Sequence, residues 1–224
     1  MHYFVQELTG VAVESCFNPY RDVCPCHDDE ASPRRRSRLL SKILDRAEAA
    51  DVDALWIGRD LGYRGGRRTG LALTDEYHAA EHAGRWGLET EFVLRASVAR
   101  ERTAGAIWSM LRKINSPVFL WNVFPLHPHL PSKPMSNRAH NAFERSLGLK
   151  ILDELVRLLK PRRIVAIGRD AASAAARLEL DIPAYSIRHP SYGGIGDFRR
   201  GLSSLYFDST PALHSTTAND YKQT

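Results

Sequence analysis

Four short apolar runs punctuate this chain, at Asp53–Gly58, Val118–Val123, Arg163–Gly168 and Ala184–Arg188. The first two read as buried strands, and the last two as a third strand and a short fourth one. Segments with helical spacing lie between and after them, at Pro33–Ala50, Glu101–Ile114, Ala139–Lys160, Asp170–Leu178 and Phe198–Tyr206. In the first, Leu39, Leu40, Ile43, Leu44 and Ala47 fall on one face; in the third, Leu147, Ile151, Leu155 and Leu158 do. Strands alternating with helices predict a parallel sheet with right-handed crossovers. The expected fold class is a three-layer α/β/α sandwich around a four-stranded parallel sheet. Ligands of such sheets bind beyond the carboxyl ends of the strands.

The strand ends therefore matter most. They deliver Asp60, Asn122, Asp170 and His189 in turn. Two of them follow the same tetrapeptide, Ile57-Gly58-Arg59-Asp60 and Ile167-Gly168-Arg169-Asp170. After Asp170 comes Ala-Ala-Ser-Ala-Ala-Ala-Arg-Leu, a strong helix former, so this acid is expected to cap a helix. After Asp60 come Gly62, Gly65, Gly66 and Gly70, which favour open backbone, so this carboxylate is expected to stay free at the rim.

The 224 residues suit one well-buried domain, expected over residues 1–208, with a flexible polar tail over 209–224. No apolar run approaches the length of a bilayer span, and the first residues lack the basic region and apolar core of a secretory signal, so a cytoplasmic protein with no membrane partner is expected. Three cysteines, Cys16, Cys24 and Cys26, are an odd number near one end, which argues against a disulfide framework and fits a reducing compartment. With His27 they could hold zinc or part of a cluster, but Cys-x-Cys is not the usual chelate spacing, so free thiols are expected. His127 and His129 lack an evident third ligand, and His78 and His82 fit a packed helix face; no metal is assigned. Trp56, Trp108 and Trp121 read as core. The net charge of +5 is clumped, notably at Arg64, Arg67 and Arg68 between glycines, a composition that suits a loop meeting a polyanion.

The ordered strand-end residues resemble the uracil-DNA glycosylase superfamily. Its Gly-x-Asp turn is matched by Gly58-Arg59-Asp60-Leu61-Gly62, its Gly-Leu-x-Phe-like segment by Gly70-Leu71-Ala72-Leu73, its asparagine after the second strand by Asn122, and its His-Pro-Ser by His189-Pro190-Ser191. The matches keep order and spacing from about Trp56 to Phe198. The stretch Asn18-Pro19-Tyr20-Arg21-Asp22-Val23-Cys24-Pro25-Cys26-His27-Asp28 also looks like the start of a less studied bacterial subgroup. The resemblance implies an enzyme that flips uracil out of DNA and hydrolyses its N-glycosidic bond, with uracil-containing single- and double-stranded DNA as partner and free uracil as product. It implies a monomer without cofactor, because the four spread cysteines of the iron–sulfur relatives are missing.

By the same resemblance Asp60 stabilises the sugar cation and orients water, and His189 donates to the departing base. Asn122, Leu73, Gly62 and Tyr63 meet the uracil. Leu73 stands where many relatives stack a phenylalanine; Gly62 stands where the selective ones place a tyrosine against the thymine methyl, with Tyr63 as candidate replacement. Arg64, Gly65, Arg67, Arg68, Ser136 and Ser191 hold DNA phosphates, and Tyr192 or Ile195 enters the emptied helix. Water rather than lysine is the expected nucleophile. Two other readings are a uracil-DNA binder with little turnover, against whose covalent form speaks the loop's lack of histidine, and a non-catalytic nucleotide- or DNA-binding α/β module.

Overall fold

The computed structural model describes residues 1–89, 98–178 and 181–208. In chain order the elements are α1 (Tyr3–Gly10), β1 (Cys16–Phe17), α2 (Ser32–Glu48), β2 (Ala54–Asp60), α3 (Gly66–Thr69), α4 (Ala79–Arg85), α5 (Arg102–Leu111), β3 (Val118–Phe124), β4 (His127–Pro128), α6 (Ala142–Leu159), β5 (Arg163–Ile167), α7 (Arg169–Ala175), β6 (Ala184–Ile187) and α8 (Ile195–Tyr206). All four expected strands form, in the order β3-β2-β5-β6, and every pairing among them is parallel. A second, two-stranded antiparallel sheet joins β1 to β4.

Alternation along the strands builds two cores. On β2, Leu55 and Ile57 face one way and pack with Leu40, Ile43 and Leu44 of α2 and Leu152 and Leu155 of α6. Ala54 and Trp56 face the other way, against Ile107 and Trp108 of α5 and Phe198 and Leu202 of α8. Two helical layers on one parallel sheet make the three-layer sandwich. The indole of Trp56 donates to the Tyr206 hydroxyl at 2.9 Å, tying β2 to α8. Trp56, Trp108 and Trp121 are all buried.

Helix α6 lies unusually close to β3. A Cβ at Gly148 would come within 3.0 Å of the Val123 carbonyl carbon and nearer still to its oxygen. Glycine is thus what allows the helix to press on the strand that carries Asn122. The helix starts at Ala142, three residues later than its spacing suggests, because Asn141 and Glu144 form a reciprocal capping box.

Several expectations need correction. Helix α1 is absent from the sequence reading; its buried face is only Phe4, Val5 and Leu8, too few residues for a period to register. Asp170 does not cap by hydrogen bond. Gly168 occupies the N-cap position, and Asp170 lies in the first turn of α7, where its charge favours the helix dipole while it pairs with Arg59 at 3.3 Å. A helical turn, α3, does form in the glycine-arginine loop after Asp60. Residues 209–224, expected to be a flexible tail, lie outside the described residues. None of the described helices is long and apolar enough to cross a membrane.

Candidate active site

Asp60 ends β2 and is not free. Its side chain is only 5 % exposed, with Oδ1 facing His140 Nδ1 at 2.5 Å and Oδ2 accepting from Arg59 Nε at 2.7 Å. The glycine-rich context correctly excluded a helix cap, but it could not report a histidine eighty positions away. His140 is therefore a site residue that sequence reasoning missed. Its signal was faint: a lone histidine in a loop that also carries Asn137, Arg138 and Asn141.

Asn122 lies on β3 beside Gly58 of β2 and is 1 % exposed. Its Nδ2 donates to the Asp60 backbone carbonyl at 3.2 Å. The carbonyl needs a donor, so that bond sets which way the amide points. Oδ1 is then buried with no partner. Gly58 makes the approach possible, since a Cβ there would stand 2.8 Å from both Asn122 Nδ2 and a Leu73 methyl. Leu73 itself has φ 54°, a left-handed backbone that a leucine adopts only where its surroundings hold it. Asn122, two residues before the end of β3, and Leu73 thus meet over one glycine.

His189 follows β6 by two residues. The Ser191 amide donates to its Nδ1 at 3.2 Å, and the Ser191 hydroxyl lies 2.7 Å from the same nitrogen. An amide can only donate, so Nδ1 is the acceptor and the neutral ring carries its proton on Nε2. Burial first, then the charges of Arg59 and Arg188, pushes His189 below the ordinary imidazole range. Gly168, with φ 93°, admits the histidine closely: a Cβ there would be 3.3 Å from the His189 Cβ. Asp60 and His189 leave strands two positions apart in one parallel sheet, a separation of about 10 Å.

The remaining expected residues divide. Tyr63 is half-buried, its amide donating to Asn137 Oδ1 at 2.9 Å and its hydroxyl accepting from Arg64 Nε at 2.7 Å. Gly62 faces Glu101: a Cβ there would stand 3.2 Å from the Glu101 Oε1. Burial first, then the charge of Asp75, raises the Glu101 carboxyl above its ordinary range. Tyr192 is 97 % exposed at φ 51°, and Ile195 is also exposed. Arg64 is exposed as expected.

Arg67 must be corrected from the expected DNA contacts, because it is buried under the Phe17 ring at 3.7 Å and bonds His127 Nδ1 at 3.0 Å. Its charge is used to join the loop to the β1–β4 sheet. Gly65 is corrected too: its amide donates to Gly62 at 3.2 Å and is not available to a phosphate. Arg68 pairs with Glu76 at 2.9 Å, and Ser136 Oγ is shared between the Lys133 carbonyl and the Leu130 amide. Ser191 is engaged with His189. The loop is a scaffold more than a phosphate cradle.

No cysteine takes part in a disulfide. Cys16 is tied to Glu144 and Arg138, and burial first pushes its thiol up to about 12. Among the described residues His2, Asp45 and Glu48 bring ligand atoms within 4.8 Å of one another. Yet His2 Nδ1 already accepts the Phe4 amide, so Nε2 carries the proton toward Glu48, and the neutral ring has no second lone pair for an ion. His78 and His82 are packed on the Trp108 ring, His78 against Asp75 and His82 against Thr74.

The family profile of the uracil DNA glycosylase superfamily matches residues 44–210. The crystal structure of wild-type SMUG2 from Pedobacter heparinus is similar in fold, with a TM-score of 0.58 at 10% identity over 90% of this chain and 92% of that one. No curated protein matches the sequence. The parallel sheet carries an acid, an amide and an imidazole at its carboxyl rim. The chain is a member of the uracil DNA glycosylase superfamily, the DNA glycosylases of base-excision repair.

Proposed function

We propose that the protein is a monofunctional uracil-DNA glycosylase that takes uracil out of the DNA stack and hydrolyses its bond to deoxyribose. The reading rests most on one observation, the buried and unpartnered Oδ1 of Asn122 beside Asp60. An orphaned acceptor in a dry site costs about 1–3 kcal/mol, so it calls for a ligand that brings a donor. Uracil brings N3–H. Cytosine presents a bare nitrogen at that position, which an acceptor repels, so the fixed amide discriminates the deaminated base from its parent.

Bond cleavage leaves a cation on the sugar and an anion on the base. Asp60 stabilises the first and orients water, as carboxylates do in glycoside hydrolysis. The Nε2–H of His189 meets the second at O2, and neutrality suits it: an anion gains a hydrogen bond without the ring having to charge in a buried place. Leu73 covers one face of the base, and Gly62 with Tyr63 borders its C5 side. Tyr192, which has almost no contacts to lose, fills the gap left in the duplex, with Ile195 beside it. Arg64 reaches phosphate. We place the enzyme in the cytoplasm as a monomer, releasing free uracil, in keeping with its free thiols.

The alternative of a phosphate-binding module without chemistry is weakened by the loop it depends on, since Arg67 and the Gly65 amide are already engaged. The test is incubation with uracil-containing single- and double-stranded DNA followed by alkali. Cleavage at the uracil position supports the proposal, and intact strands from folded protein refute it. Denaturing gels without alkali should show neither nicking nor a covalent adduct.

A further inference from the structure

Resting on that reading, we propose that His140 is a positioning residue for the reaction, holding the Asp60 carboxylate in the orientation that meets the sugar. The structure fixes His140 from both sides. Arg138 is pinned by the two oxygens of Glu144 and by the His129 and Ser15 carbonyls, and Asn141 is locked in the capping box of α6. Between these anchors the imidazole is 5 % exposed and lies edge-on to Phe124, ring centres 6.4 Å apart. Among the described residues its only hydrogen bond is to Asp60 Oδ1, at 2.5 Å.

The chemistry of that bond is specific. A carboxylate can only accept, so Nδ1 donates. With Arg59 Nε on Oδ2 and His140 Nδ1 on Oδ1, both oxygens are tethered and rotation about the Asp60 Cβ–Cγ bond is arrested. Each oxygen keeps a lone pair for water or for the developing cation. The two tethers are not equivalent. Arg59 is half-exposed and divides its guanidinium between Asp60 and Asp170, whereas His140 is buried and serves Asp60 alone. Precision should therefore come mainly from the histidine.

Two substitutions separate positioning from mere packing. His140→Ala removes the donor; His140→Asn keeps an amide N–H close to the place of Nδ1. Single-turnover excision of uracil from a single strand should fall about 100-fold in His140→Ala, the order expected when a reacting group is misplaced by about 1 Å, while the dissociation constant for DNA changes less than threefold. His140→Asn should recover at least a tenth of the wild-type rate constant. A wild-type rate in His140→Ala, an equal loss of DNA binding, or a His140→Asn variant as slow as His140→Ala overturns the proposal. A second readout does not need catalysis: the wild-type proton spectrum should contain a downfield, slowly exchanging Nδ1 proton of His140 that is lost in Asp60→Ala. If wild type excises nothing but this proton is present, the glycosylase reading fails and the pairing stands; if the proton is missing, the positioning role fails.

Discussion

Replacing Asn122 with leucine should separate stability from function. Leucine has the branched shape of asparagine, so the exchange opens no cavity beside Gly58. It takes the Nδ2 donor from the Asp60 carbonyl and leaves that acceptor unpaired, which costs about 1–3 kcal/mol. It also removes an unpartnered buried acceptor, whose desolvation costs about 1–3 kcal/mol. The two effects are of the same size, so stability should stay within about 2 kcal/mol of wild type, which at about 2–4 °C per kcal/mol for a chain of this size keeps Tm within roughly 8 °C of it. Excision should fall. A uracil whose N3–H is buried without its acceptor loses about 1–3 kcal/mol, or about 5- to 150-fold in kcat/KM. Thermal melting and single-turnover kinetics on one preparation decide the matter. A variant that melts more than roughly 8 °C below wild type, or one that excises at the wild-type rate, would show that the amide is there for the fold and not for a ligand.

Gly148→Ala should destabilise by about 1–3 kcal/mol, because the added methyl meets the backbone of β3 rather than a side chain that could turn aside; urea midpoints measure it, and an unchanged midpoint contradicts the close approach. Tyr192→Ala should leave the melting temperature within about 0.5 kcal/mol equivalent of wild type, since the ring is 97 % exposed, yet slow excision from duplex more than from single strand. Loss of both activities alike would remove Tyr192 from the wedge role. Acid should also weaken the fold. Burial pushes His82 down to about 3 and His127 down to about 4, so between the ordinary imidazole value near 6.5 and those values the unfolded chain binds protons that the native one refuses. Stability is full above about 6.5 and declines as pH falls towards 4. Denaturant titrations at pH 7.5 and 4.5 should show the difference, and His82→Asn, which keeps a donor to Thr74 but cannot charge, should reduce it.

β2, β3 and β5 were legible because burial on both faces leaves continuous apolar runs, and the helices because α2 and α6 show their period over four turns or more. The rim residues were legible for a related reason: a parallel sheet sends every strand end to one side, so Asp60, Asn122 and His189 had to share it. Their partners were not. That Asp60 is held by His140, that Asn122 is turned by the Asp60 carbonyl, and that Glu101 stands against Gly62 depend on how loops fold back over the sheet. Arg67 shows the limit most plainly. Arginine between glycines suggests an exposed loop, but a cation stacked on Phe17 and bonded to His127 is buried, and nothing in its neighbouring residues announces either partner.

The most direct test compares wild type with Asp60→Asn and His189→Ala for release of uracil from a single-stranded oligonucleotide under single-turnover conditions, with melting curves to establish that each is folded. An acid and a neutral imidazole acting on opposite sides of one glycosidic bond predict that wild type releases uracil and that each variant, though folded, is slower by about 100-fold or more. Release by either variant at a rate close to wild type would contradict the account.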